Sequence, residues 1–227
     1  ALAPTTDPTT IGLQGYINPT AQASARLTSL QQVVTFDTGL SMIQATSSIT
    51  SAALQQSSML SGALQGITLA TQFPVPATSI GNQLAQVARI IKANETLGLG
   101  RQIFFCSLGG FDTHTSQIAD QISLFTQLDA AMKAFYDATV ELTLENMVTT
   151  FTLSEFGRTL KPATGSGSDH GWGSHQMVMG GAVKGGDVYG RLPRFVLGGI
   201  DPTLGGDRGG HRGRRWGGVG ALCVGVG

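Results

Sequence analysis

The chain has 227 residues, a formal net charge of zero, 12 % charged residues and 32 glycines. That length suits one large domain or two small ones. The neutral balance excludes a binder of phosphate backbones, which would carry a basic surplus, so no nucleic-acid partner is expected. The apolar content excludes a disordered chain. No apolar run approaches the roughly 20 residues of a bilayer span, so no transmembrane segment is expected.

Residues 1–20 hold Pro4, Pro8, Gly12, Gly15 and Pro19 and read as an irregular lead-in. Leu27, Leu30 and Val34, then Leu40 and Ile43, recur at helical spacing and predict helices over about 21–35 and 39–66. No charged residue occurs from Thr38 to Ala88, so these helices carry Ser, Thr and Gln on their polar faces. A lipid-surface role is disfavoured, because interfacial helices present Lys or Arg. After the Pro74 and Pro76 breakers, Leu84, Val87, Ile90 and Ile91 predict a helix over 79–96.

The period then changes. The apolar run 102–108, ended by Gly109 and Gly110, reads as a buried strand. Its Cys106 is a small buried hydrophobe, and with Cys223 alone no CxxC site or disulfide framework can form. Ile118, Ile122, Phe125, Leu128, Met132, Phe135 and Leu142 mark one face of a helix over 115–142. Residues 147–153 are rich in β-formers and read as a second strand. Strand, helix, strand predicts a βαβ unit with a parallel pair. Further strands are expected at 176–183 and 195–197.

Three polar motifs follow these elements: SLGGFDTH (107–114), SEFGRT (154–159) and SDHG (168–171). The first two directly follow predicted strands. Ligands of open α/β sheets bind outside the carboxyl ends of strands. Asp112, His114, Glu155 and Arg158 are therefore expected at one crevice, with the Gly/Ser-rich loop 164–168 bringing Asp169 and His170 to its rim. Asp, Glu and His together suit zinc, manganese or iron. Such an ion activates water and stabilises a developing oxyanion. Arg158 offers a planar fork to a phosphate or sulfate, and the helix beginning near Thr115 turns its amides to the same rim. Plainer roles stand beside these: Asp112 or Thr113 as helix caps, Glu155 with Arg158 as a structural ion pair, Asp169 with His170 as a loop pair, and His175 as structural.

In order and wording, SLGGFDTH, SEFGRT, SDHG and GGAVKGGDVYG (180–190) resemble the bacterial family called domain of unknown function 1501, over roughly residues 80–206. The resemblance implies a distant relationship to the alkaline phosphatase and sulfatase superfamily. That relationship implies a doubly wound, mostly parallel α/β sheet, a centre of one or two divalent metal ions held by Asp and His, and action on phosphate or sulfate esters, small anionic substrates. Members typically carry a twin-arginine leader, which implies a periplasmic or extracellular location.

Carried over residue by residue, Asp112 and His114 match the superfamily's Asp and His after one strand. Its later Asp-His-Gly has two registers here. Asp169-His170-Gly171 matches in letters. Ser154-Glu155-Phe156-Gly157 matches in position, with Phe156 where a histidine ligand should stand. Asp112, His114, Glu155, Asp169 and His170 are thus the candidate metal ligands and Arg158 the candidate anion-binding residue. The superfamily's first metal aspartate and its nucleophile lie in an upstream strand with no counterpart in residues 1–80. The chain is therefore expected to be a C-terminal fragment with an incomplete domain, or the nucleophile to be missing. The expected layout is a helical segment over 1–78, part of the same domain as an α/β region over 79–206, and a Gly/Arg-rich tail over 207–227 read as a frame-shifted end, with a basic tail touching nucleic acid as the alternative. Two functions are carried forward: an exported metal-dependent hydrolase-like protein, and a non-catalytic secreted or surface-associated protein that keeps the fold for binding.

Overall fold

A computed structural model of the chain describes residues 2–4, 11–13, 21–36, 39, 41–74, 77–171, 174–190 and 219–226. The expected strand at 195–197 and the start of the Gly/Arg-rich tail lie outside these residues. The chain divides into two compact units, one of residues 1–69 and 85–99, the other of residues 70–84 and 100–227.

In the first unit, β1 (Leu2–Pro4) and β2 (Ile11–Leu13) pair antiparallel where an irregular lead-in was expected. Helices α1 (Ala21–Thr35) and α2 (Ser41–Ala63) follow as predicted. Leu27, Leu30 and Val34 are the partly covered apolar positions of α1, while Val33, Phe36, Met42, Ile49 and Met59 are exposed. Helix α3 (Ser79–Lys92), whose residues 79–84 belong to the second unit and 85–92 to the first, buries Ile80, Leu84, Val87, Ala88 and Ile91 along one face, as its spacing requires. It stops short of the predicted end. A separate turn, α4 (Asn94–Leu97), closes on left-handed Gly98, whose N–H returns to the Asn94 carbonyl. Buried Arg89 donates from Nε to the Ile67 carbonyl at 3.1 Å and from Nη2 to the Leu64 carbonyl at 3.0 Å. These carbonyls follow the end of α2, where carbonyl groups lack helical donors.

The second unit holds β3 (Gln102–Gly109), α5 (Gln117–Glu141), β4 (Val148–Ser154), β5 (Gly157–Pro162), β6 (Ser168–Gly171), β7 (Val178–Met179) and β8 (Val219–Val226). It is a mixed α/β unit, and the sheet among its described residues is not the parallel, doubly wound one expected. The order is β3-β8-β4-β7 and every neighbouring pair is antiparallel. No parallel pair forms among the described residues. The segment 219–226, set apart above as part of a tail, is the strand between β3 and β4. Its run of Val, Ala, Leu and Cys with glycines suits a strand hydrogen-bonded on both edges. The expected strand over 176–183 shrinks to the two residues of β7.

The pattern of side chains explains how the sheet is covered. Cross-strand partners share a face. Cys106, Leu108, Val148 and Thr150 are buried, whereas Ile103, Phe105 and Leu153 on the alternate positions are exposed. A doubly wound sheet would cover both faces; here one face carries exposed apolar side chains. In α5 the predicted face also divides. Leu128, Ala131, Met132, Phe135 and Ala138 are buried, but Ile118, Ile122 and Phe125 are exposed. The outer edge of β3 is met by the Gln83 amide, which donates to the Ser107 carbonyl and accepts from the Ser107 N–H, both at 2.9 Å. Glu141, at the end of α5, accepts from the Ala70 and Thr71 N–H groups and from the Thr71 hydroxyl. No described helix is long and apolar enough to cross a membrane.

Candidate metal centre

Strands β3 and β4 are each antiparallel to β8, so they run in the same direction. Leu108 and Ser154 both lie opposite Gly220, which sets their carboxyl ends level. The loops carrying Asp112 and Glu155 therefore leave one edge of the sheet, as the strand-end argument requires.

What brings His170 to that edge is a hairpin absent from the predicted elements. Strands β5 and β6 pair antiparallel, Gly157 with Gly171 and Arg158 with His170. The turn of this hairpin crosses the loop after β3. Thr115 and Ser166 form a bridge, and the Ser116 and Gln117 N–H groups donate to the Gly165 and Ser166 carbonyls at 3.2 and 3.1 Å. The Ser168 N–H donates to the Thr113 carbonyl at 3.3 Å. The crossing is close enough to demand glycine. A Cβ on Gly167 would lie 2.0 Å from the His114 carbonyl carbon and oxygen, and one on Gly171 would lie 2.5 Å from the Thr159 nitrogen. Ser116 (φ 50°) and Ser166 (φ 65°) take left-handed backbone on either side of it, a conformation that side-chain-bearing residues hold only when their surroundings enforce it.

At the centre, Asp112 Oδ1 lies 2.8 Å from His114 Nε2 and 2.7 Å from His170 Nε2. Atoms of these three residues all lie within 4.8 Å of one another. The side chains are 36 %, 48 % and 45 % exposed, so the group opens to solvent. Burial pushes the Asp112 carboxyl up, but the hydrogen bond from His170, the facing His114 and His170 rings and the hydrogen bond from Arg158 outweigh it and hold it below the ordinary carboxylate value.

The other predicted residues take different places. Asp169 Oδ1 lies 3.3 Å from Nδ1 of His114 and is not a member of the three-residue group. Glu155 sits on the exposed turn between β4 and β5, also outside that group. Arg158 is only 15 % exposed. It donates from Nη1 to Asp112 at 3.2 Å, from Nη2 to the Thr113 hydroxyl at 3.4 Å and from Nε to the Ser168 hydroxyl at 3.1 Å. Three of the five N–H groups of a guanidinium are thus engaged inside the protein. The amides of Ser116 and Gln117, expected to favour an anion, are engaged by the hairpin turn. The expected cap is not formed by Asp112 or Thr113; the cap position of α5 is Ser116, with no side-chain hydrogen bond. His175 is exposed.

Sequence reasoning missed two supports. The Phe156 ring stacks on His170, with centroids 3.8 Å apart and planes 10° apart, and Arg158 Cζ lies over the Phe156 ring, 5.7 Å from its centroid. Buried Ser168 donates to Gln117 Oε1 at 2.5 Å, tying β6 to the start of α5. Phe156 was visible only as a break in a metal motif, and no periodic signal marks Gln117.

The donor set fits a divalent ion. One carboxylate and two imidazoles are a ligand set used by zinc, manganese and iron, and solvent access leaves positions open on an ion. The 2.7 and 2.8 Å separations are hydrogen-bond distances, so an entering ion would replace the protons now shared there.

A family model described as "Protein of unknown function (DUF1501)" matches residues 10–198. No curated protein and no solved structure matches the chain.

Proposed function

From a chain that belongs to the DUF1501 family, we propose an exported metal-dependent hydrolase-like protein acting on phosphate or sulfate esters, built on an alkaline-phosphatase-like framework. The observation that carries the reading is the meeting of Asp112, His114 and His170, from two segments distant in sequence, in a solvent-open group at the carboxyl edge of β3 and β4. Co-directional strands joined through α5, with polar loops at a shared edge, support the framework. The periplasmic or extracellular location rests on the family resemblance.

Asp112, His114 and His170 would hold the ion. Once bound, it would supply a Lewis acid for the ester oxygens and lower the pKa of water. The rest follows from the chain's own groups. The Thr113 and Ser168 hydroxyls beside the cluster are buried and hydrogen-bonded, and Cys106 is buried in β3. In this reading water is the attacking group: its oxygen bonds to phosphorus or sulfur as the ester oxygen leaves, and a proton released by the water passes to the leaving alcohol. Arg158, with three N–H groups engaged beside the cluster, would be the anion-binding residue of this reading.

The test is metal analysis of the full-length chain after incubation with zinc, manganese or iron(II) and dialysis, alongside turnover of p-nitrophenyl phosphate and sulfate. The wild type is expected to retain about one ion per chain and an Asp112→Ala/His170→Ala variant none. Equal metal content in the two would remove the proposal. A second reading, binding without catalysis, draws on the exposed apolar side chains of α1, α2 and the bare sheet face; metal retention with no turnover of either ester would favour it.

A further inference from the structure

The three candidate ligands do not stand alone. Each is held by a different neighbour: Asp112 by Arg158, His170 by the stacked Phe156, and His114 by Asp169. The last of these contacts settles where Asp169 belongs. The two nitrogens of an imidazole point away from one another. Nε2 of His114 faces Asp112 at 2.8 Å, and Nδ1 of the same ring faces Asp169 at 3.3 Å. An ion held together with Asp112 and His170 would be met from His114 by Nε2. The Asp169 carboxylate lies across the ring from it.

We propose that Asp169 is not a metal ligand but the positioning residue of His114, accepting its Nδ1–H and so leaving the Nε2 lone pair for the ion. This rests on the metal-centre reading above. The physics is that of outer carboxylates beside metal-binding histidines. The acceptor fixes the tautomer and the ring plane, and its charge raises the basicity of the coordinating nitrogen. The exposure of the Asp169 side chain, 65 %, agrees with a group that needs neither burial nor a place on the ion. The pairing also explains a feature of the chain: Asp169 and His170 are adjacent in β6, where successive side chains leave on opposite faces. His170 reaches Asp112, and Asp169 reaches His114 at its other nitrogen.

The experiment uses cobalt(II) as the probe on the full-length chain, because its visible bands report the number and type of bound ligands. Wild type, Asp169→Asn and Asp169→Ala are titrated, and circular dichroism confirms that each is folded. The expected result is one band shape for all three, with affinity falling by about 10- to 100-fold from wild type to Asp169→Ala and with Asp169→Asn between them. A change in band position or intensity in Asp169→Asn overturns the proposal, since that marks the loss of a bound oxygen. Unchanged affinity in Asp169→Ala overturns it as well. A wild type that binds no cobalt overturns the metal-centre reading itself, which separates the two failures. Nitrogen-15 spectra of histidine in the wild type give a check without substitution: with the ion bound, His114 is expected as the Nδ1–H tautomer, and an Nε2–H pattern contradicts the assignment.

Discussion

Replacing Gly167 with alanine tests whether the crossing of the hairpin turn over the loop after β3 holds the centre together. The added Cβ would stand 2.0 Å from both the carbonyl carbon and oxygen of His114 and 2.5 Å from the Thr115 nitrogen. All three are backbone atoms, so no rotamer change relieves the overlap. One segment must move by about an ångström to restore ordinary contact, and overpacking that displaces backbone costs about 1–3 kcal/mol. For a chain of this size each kcal/mol lowers Tm by about 2–4 °C, so a loss of about 2–12 °C is expected. The movement also parts His114 from the strand that carries His170, so metal affinity should fall with stability. Gly109→Ala is the matched control: it lies in the same region, has nothing within 4 Å of its added Cβ, and should stay within about 0.5 kcal/mol. Thermal melts by circular dichroism and cobalt titrations of both variants give the comparison. A Gly167→Ala protein with wild-type Tm and affinity would show that the crossing is not what positions His114.

Two more outcomes follow from named contacts. Gln83→Ala leaves the Ser107 N–H and carbonyl on the outer edge of β3 without their side-chain partner; urea unfolding should show a loss of about 1–3 kcal/mol, with more self-association on gel filtration because a strand edge is opened, and unchanged urea midpoints would contradict this. The Asp112 carboxyl, held below its ordinary value, contributes stability that is fully present above the unfolded value, about pH 4, and lost as pH falls through the lower folded value; the difference in urea midpoint between metal-free wild type and Asp112→Asn should therefore be at its full size above about pH 4 and shrink as pH falls below it, and a difference that stays constant to about pH 2.5 would rule out the Asp112 network as its source.

Much of the unit around the site was legible because its elements announce themselves by period. The run at 102–108 and the β-formers at 147–153 became β3 and β4 nearly residue for residue, and Leu84, Val87 and Ile91 marked α3. The hairpin of β5 and β6 was not legible. Lys161, Pro162, Ser168, Asp169 and His170 show no alternation of apolar and polar side chains, because this ribbon is held by main-chain pairing and by glycine contacts rather than by a buried face. The parallel pair failed for another reason. Strand, helix, strand fixes the relative direction of β3 and β4 but not their adjacency, and β8 from far along the chain takes the place between them. Its apolar run was present in the sequence, hidden by the Gly- and Arg-rich residues before it.

The same hairpin brings the two segments weighed as Asp-His-Gly registers side by side. Read along the sequence they compete, since 154–157 fits by position after a strand and 169–171 fits by its letters. In the folded chain they are strand partners: Gly157 lies opposite Gly171 and Arg158 opposite His170. The Phe156 ring occupies the positional slot and lies face to face with the imidazole of His170. One segment thus supplies the platform and the arginine that holds Asp112, and the other supplies the imidazole. A histidine in place of Phe156 would put two like rings where one ring and its support now stand, and would leave His170 without its flat apolar neighbour. The departure from the motif at Phe156 is therefore matched by the histidine delivered fourteen residues later in the strand that folds back on it. Substitutions at Phe156 and His170 should accordingly couple rather than add.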